Sequence, residues 1–460
     1  MLEINEISRV NYFYNMLFVR SVGMICKLFS TIRFAVIITA ALSVFFLRPG
    51  YAVDEKPPAE KHDHKRLLVI PFPFFNDTVG SGVGVAAIAE GYIQKQVLTV
   101  ASGLYSAGGT YLTFLYMRDY QLPWIKRIFV SPRASYGELQ DISFYKGINP
   151  DFPNERAGSN DSSEDNFIEA DGSDYWLDLN IKYLLPIGHG KDNILSTIKL
   201  KDGVLVSGQT GGEHWNPLKS GRTYFELEPF FRDQDLDDEE GTVQKTAGIE
   251  VALTYDNTDF PYNPSTGNYL RMFFDRDWGA LDSSAPWSVW GGEYSQYFSL
   301  GSSEHSRQRL IAFNFWSVDC PTWESSHTED GEVVFHRPPS YKGANLGGLW
   351  RLRGYPATRF NDSAGIYYGL EYRQMLSWNP LKDFTLKGRL DVDWFQFVGF
   401  GELGRVAPEW DFDELHKDMK WSAGVGLRSY INNLIVRFDV AASDEDVIAQ
   451  LFIGQPWPKR

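Results

Sequence analysis

The stretch Gly248 to Tyr255 reads GIEVALTY. Ile249, Val251, Leu253 and Tyr255 are large and apolar, and Gly248, Glu250, Ala252 and Thr254 between them are small or polar. A period of two belongs to a β-strand, whose successive side chains point to opposite faces. The same texture recurs from Phe74 onward in segments of about ten residues, the length of a membrane-crossing strand. Gly82 to Ala89 (GVGVAAIA), Tyr175 to Leu185 (YWLDLNIKYLL), Leu310 to Val318 (LIAFNFWSV) and Ile366 to Tyr372 (IYYGLEY) are examples, and no segment reads as a helix.

Strands are expected near 79–91, 93–104, 107–119, 126–137, 173–186, 192–203, 220–232 and 245–256. Further ones are expected near 268–278, 286–299, 307–317, 364–376, 389–401, 419–430, 433–442 and 445–456. That makes sixteen, and an even count places both ends of a bacterial barrel on the periplasmic side. The expected fold is therefore all-β, a 16-stranded antiparallel transmembrane β-barrel. One tension follows: the long polar stretch 138–172, including SNDSSEDN, falls in a periplasmic turn, although long connections normally face outward. Between 318 and 363, separating strands 11 and 12, lies the longest connection of the C-terminal half. Long loops without structure of their own are usually functional.

The N-terminal part sets the compartment. Lys27 and Arg33 precede the apolar run Phe34 to Leu47 (FAVIITAALSVFFL), and Pro49-Gly50-Tyr51-Ala52 follows. A basic region, an apolar run too short to span a bilayer and a small-residue end describe a secretory signal peptide. Cleavage after Ala52 is expected, giving residues 1–52 as signal, 53–73 as a short charged periplasmic arm and 74–460 as barrel. Translation from Met16 or Met24 would leave the same signal. Of the two cysteines, Cys26 lies within the signal, so only Cys320 remains and no disulfide framework exists. A formal charge of −15 argues against nucleic acid as a partner. The aromatic content of 15% suits membrane interfaces, and with no later apolar stretch of spanning length only a closed barrel reconciles the chain with a membrane. The expected location is the outer membrane of a Gram-negative cell, with its lipid as the first partner.

Leu346 to Phe360 reads LGGLWRLRGYPATRF, and its core Leu352-Arg353-Gly354-Tyr355 resembles the signature loop motif of the BamA/TamA (bacterial surface antigen) superfamily of assembly and translocation barrels. Tyr368 to Arg373 (YGLEYR) resembles that family's glycine, apolar, glutamate, tyrosine, arginine strand. Phe397 to Arg405 (FVGFGELGR) resembles its next strand, with Glu402 where an aspartate is usual. Tyr255 to Arg271 (YDNTDFPYNPSTGNYLR) resembles its periplasmic turn, and Trp421 to Ala441 (WSAGVGLRSYINNLIVRFDVA) its glycine-rich penultimate hairpin. Gln450 to Trp457 (QLFIGQPW) approximates a terminal assembly strand, with Pro458-Lys459-Arg460 added after the ring. The resemblance covers about residues 74 to 457 and is densest from 250 onward.

The resemblance implies that the loop between strands 11 and 12 is directed into the lumen and that Arg353 meets acidic groups of the wall there. Glu371 and Glu402 are the expected partners, since a guanidinium withdrawn from water needs carboxylates of matching geometry. Gly354 is expected to let the backbone turn tightly beside the ion. The cluster serves either as a structural clamp or as a latch regulating opening between the first and last strands. The resemblance further implies insertion or export of another molecule, with client barrel proteins or a periplasmic or lipoprotein partner. The chain is expected to lack the periplasmic POTRA repeats that usually precede such barrels, which leaves assembly itself in question.

A passive or structural barrel is the alternative, because fold does not determine function. An outer-membrane hydrolase would need a catalytic set such as His327 or His336 with Asp319 and Ser325, and the spacing of the histidines shows no triad or ligand pair. Gly343 to Gly348 lacks the Lys-Ser/Thr of a phosphate cradle, and the acidic run Asp233 to Glu240 reads as a solvated loop. Catalytic residues, cofactors and metal ligands are accordingly not expected.

Overall fold

The structure, a computed structural model, describes residues 65–460 apart from 77, 147–148, 197, 238–242, 324, 328–332, 383–390 and 459–460. The signal peptide expected at 1–52 and the arm up to residue 64 lie outside the described residues. The fold belongs to the unit Lys61–Arg460. Among the described residues no helix is long and apolar enough to cross a membrane.

Antiparallel strands form a nearly closed barrel of sixteen. The first eight are β1 (Arg66–Asn76), β2 (Gly80–Glu90), β3 (Leu98–Ser106), β4 (Tyr111–Arg118), β5 (Ile128–Phe144), β6 (Ile168–Leu184), β7 (Arg222–Leu236) and β8 (Val243–Asp256). The others are β9 (Gly267–Asp277), β10 (Trp287–Ser303), β11 (Ser306–Asp319), β12 (Ala364–Leu376), β13 (Val392–Ala407), β14 (Lys420–Ile431), β15 (Leu434–Ala442) and β16 (Val447–Ile453). Each pairs with the next in sequence. Among the described residues no backbone ladder joins β1 to β16, although the two lie side by side.

The two-residue period sorts side chains between lipid and lumen. On β12, Leu370 and Tyr372 are 53% and 41% exposed and face outward, whereas Glu371 and Arg373 are fully buried inside. The buried charge of the molecule therefore lines its interior. One two-residue connection, Asn432-Asn433 between β14 and β15, has φ of 51° and 67° at its two residues, as a hairpin turn requires.

The expected count of sixteen holds, but its composition changes. β1 begins at Arg66, inside the stretch expected as the arm, and carries Pro71 and Pro73 within its strand RLLVIPFPFFN. Proline is tolerated on an edge strand whose N–H side has no partner, and β1 is the edge facing β16. Conversely, 192–203 is no barrel strand: its alternating Lys199-Leu200-Lys201 forms one arm of a short hairpin with Val204–Ser207. The two errors cancel in number and shift everything between them by one strand. The polar stretch thus lies on the end opposite the chain termini, as the connection 145–167 between β5 and β6. The expected last strand also stops early: β16 ends at Ile453, Gly454 turns with φ of 108°, and Trp457 is buried rather than closing the strand.

The connection 320–363, between β11 and β12, also lies on the end opposite the termini. It packs with its neighbours there into a cap. Arg156 pairs with Asp362 at 2.6 Å, the Asn361 amide donates to Gly158, and Arg359 binds Ser162 and Glu445.

Candidate functional site

Arg353 lies at the end of an inward excursion of the 320–363 connection and has no solvent exposure. Its position results from local backbone geometry. Ala344–Leu346 and Phe360–Asp362 pair as a short hairpin, and the segment between them folds back on itself. Leu352, not Gly354, takes the left-handed conformation, with φ of 51°. Gly354 is needed for a different reason: a Cβ there would lie 2.9 Å from the Ala442 carbonyl carbon and oxygen, so glycine permits close approach to β15. Tyr355 is fully buried, stands edge-on to Phe360 at 5.0 Å and donates its hydroxyl to Asp444.

Every nitrogen of the Arg353 guanidinium faces a carboxylate on a different strand. Nε lies 3.0 Å from Glu402 of β13, Nη2 2.9 Å from Glu371 of β12 and Nη1 2.9 Å from Asp439 of β15. The Arg353 amide donates to the second Glu402 oxygen at 2.8 Å, and the guanidinium stacks 3.5 Å above the Phe400 ring. Burial alone would lower the pKa of this arginine, but Glu402, Glu371 and Asp439 together hold it well above its usual value.

The partners are themselves held. Glu402 accepts from Tyr367 and Ser422, both at 2.7 Å. Glu371 also meets Arg373 and Arg428 at 2.7 Å, and Asp439 meets Arg437 at 2.9 Å. The structure therefore brings Leu352, Arg353, Gly354, Tyr355, Glu371 and Glu402 into one buried cluster. The sequence reading missed Asp439, Arg373, Arg428 and Arg437. Asp439 and Arg437 share the inward phase of β15, alternating with outward Phe438, so the period of two contained the signal.

The same connection reaches the opposite wall. Lys342 lies 3.3 Å from Asp275 of β9 and 3.9 Å from Glu250 of β8, and Arg232 of β7 stacks 3.5 Å from the Tyr341 ring. The connection thus bridges the lumen from β7–β9 to β12–β15. Chemically the connection is tied to the wall by charge-assisted bonds, and losing one partner of such a buried pair would strand the other charge without compensation.

The residues weighed for hydrolysis have other partners. Asp319 accepts from the Trp290 ring at 3.1 Å, and the His336 ring lies 3.2 Å from the Pro286 carbonyl oxygen. The side chains of Ser325 and His327 lie outside the described residues. Of the acidic run, Asp233 pairs with Lys245, and residues 238–240 lie outside the described residues. Among the described residues no group of three His, Cys, Asp or Glu is placed to hold a metal ion.

The family model described as Omp85 superfamily domain matches residues 213–457. Solved structures with similarity include BamA from Haemophilus ducreyi lacking POTRA domains 1–3, at 10% identity over 85% of this chain and 70% of that one, with a TM-score of 0.48. CdiB from Acinetobacter baumannii is 11% identical over 84% of this chain and 59% of that one, with a TM-score of 0.48. CdiB from Escherichia coli is 12% identical over 87% and 63%, with a TM-score of 0.47. The chain thus spans less than two thirds of either CdiB chain. No curated protein matches it.

Proposed function

The chain belongs to the Omp85 superfamily, and on that premise we propose that it is a gated outer-membrane assembly or translocation barrel whose latch is Arg353. The observation that carries this reading is the convergence of carboxylates from β12, β13 and β15 on one buried loop arginine. A standing channel would not need a connection clamped across its lumen to both walls. The weak seam supports the same reading: β1 and β16 lie alongside each other without a ladder, next to the strands that the latch ties together.

Client barrel proteins, or a periplasmic or lipoprotein partner, are the macromolecules such a barrel would serve, and outer-membrane lipid is its solvent. The test compares the parent and Arg353→Ala, refolded and inserted in planar bilayers. The proposal expects a quiet parent and flickering conductance in the variant. A parent that conducts steadily, unchanged by the substitution, would make it a passive barrel.

A further inference from the structure

At the end of the barrel where β1 begins and β16 finishes, most connections are short, but 185–221 between β6 and β7 is not. Its hairpin, Lys199–Lys201 and Val204–Ser207, turns at Asp202-Gly203, whose φ values are 49° and 67°. The Gly203 carbonyl accepts from the Trp394 ring nitrogen at 3.0 Å. Leu200 and Val204 pack on Met375, Trp394, Tyr430 and Ile435, which are buried and belong to β12 to β15. Trp394 and Tyr430 stack at 5.3 Å and make a flat seat for the turn. The connection leaves the wall at β6, and its tip lies on β13 and β14, seven strands away around a barrel of sixteen. Its tip therefore crosses the mouth to the opposite side.

The return limb is held differently. Asn257, in the β8–β9 turn, binds the Gly212 amide, the Ser220 hydroxyl and the His214 carbonyl, and the Thr210 amide donates to Asp259. Beyond this pad the limb passes over the rim. Trp215 is 72% exposed and lies 6.3 Å from Tyr294, on a wall face that carries exposed Trp290 and Phe298. An exposed ring on that face suits the water–lipid boundary.

We infer that the hairpin Lys199–Ser207 is a plug that closes the terminal mouth and swings out on the Asn257 pad before anything passes along the lumen. The seat favours release. Among the described residues a backbone-to-ring hydrogen bond and an apolar contact hold the tip, supplemented by Arg307, which donates to the Asp202 and Asp393 carbonyls and forms a solvent-accessible ion pair with the Asp202 carboxylate at 3.8 Å. Among the described residues its one ion pair is open to solvent, in contrast to the buried ones of Arg353. The inference rests on reading the barrel as a gated pore and adds a second closure, at the other end.

The test uses the full chain, refolded, with Met375→Cys as its only cysteine. Met375 has no exposure beneath the hairpin. Gly203→Val should unseat the turn, since its Cβ would lie 2.7 Å from Tyr430 and 2.8 Å from Trp394 in a left-handed backbone. The expected result is maleimide labelling of Met375→Cys that accelerates roughly tenfold or more when Gly203→Val is added. Equal rates in two heat-modifiable, folded proteins would overturn the plug. If Gly203→Val does not fold, Val204→Asp, which sets a carboxylate against the same apolar seat, replaces it with the same criterion. Unchanged labelling beside conductance opened by Arg353→Ala removes the plug and leaves the gated pore. Accelerated labelling beside an Arg353→Ala, Gly203→Val double variant that stays silent upholds the closure and removes the pore reading.

Discussion

Among the described residues Glu402 has one ion partner, Arg353, whereas Glu371 and Asp439 each keep another arginine. Removing Arg353 therefore leaves one naked buried carboxylate rather than three. Arg353→Met should cost about 3–5 kcal/mol, and adding Glu402→Gln should recover part of the loss because it removes the orphaned charge. Denaturant midpoints of the two variants would decide this, and a double variant weaker than the single one would mean that the clamp is not electrostatic. Gly354→Ala forces a methyl against the β15 backbone and should cost about 1–3 kcal/mol by the same measurement. Arg353, Glu371 and Glu402 were legible because a recognisable tetrapeptide and two strands of fixed phase carried them. The role of Gly354 was not: sequence shows that a residue is small, but not whether it turns or makes room. Leu352 in the left-handed region could not be read at all, since nothing local marks a leucine held there by its surroundings.

At the scale of elements, alternation revealed most strands, and GIEVALTY sits in β8 with the expected phase, Glu250 inward and Leu253 outward. The failures have a common cause. Period two describes a strand with two different faces, and the apolar, proline-bearing β1 has too little contrast between its faces to register. The hairpin at 199–207 has the contrast but uses it to pack inside the mouth instead of against lipid. Its return limb gives an element-level prediction. Asn257→Ala deletes the bonds to Gly212, Ser220 and His214, a loss of about 1–3 kcal/mol from the local fold. Timed trypsin digestion should cut faster after exposed Lys219 while the heat-modifiable form persists. An unchanged cleavage rate would mean that the pad does not hold the limb.

For the whole molecule, Cys320 is a built-in reporter. It follows β11, has no exposure, and burial pushes its thiol up to about 12. In the range between an ordinary thiol and that value the unfolded chain ionises and the folded one does not, so the protein loses stability as pH rises from about 9 toward 12. Cys320→Ala should flatten that slope in thermal melts recorded across this range. If the slope survives the substitution, another group carries it. Labelling of the parent thiol near neutral pH should be slow and should accelerate in Arg353→Ala if the latch keeps the cap shut.

The carboxylates around Arg353 stand on β12, β13 and β15, and the β14 residue Ser422 binds one of them. A bolt through four neighbouring staves makes them one stiff panel. Deformation of the wall then has to be taken up elsewhere, and the panel's edge borders the short β16, whose far side meets β1 without a ladder among the described residues. The barrel is most rigid directly beside the place where it is least closed, so strain arising anywhere in the ring concentrates on that border.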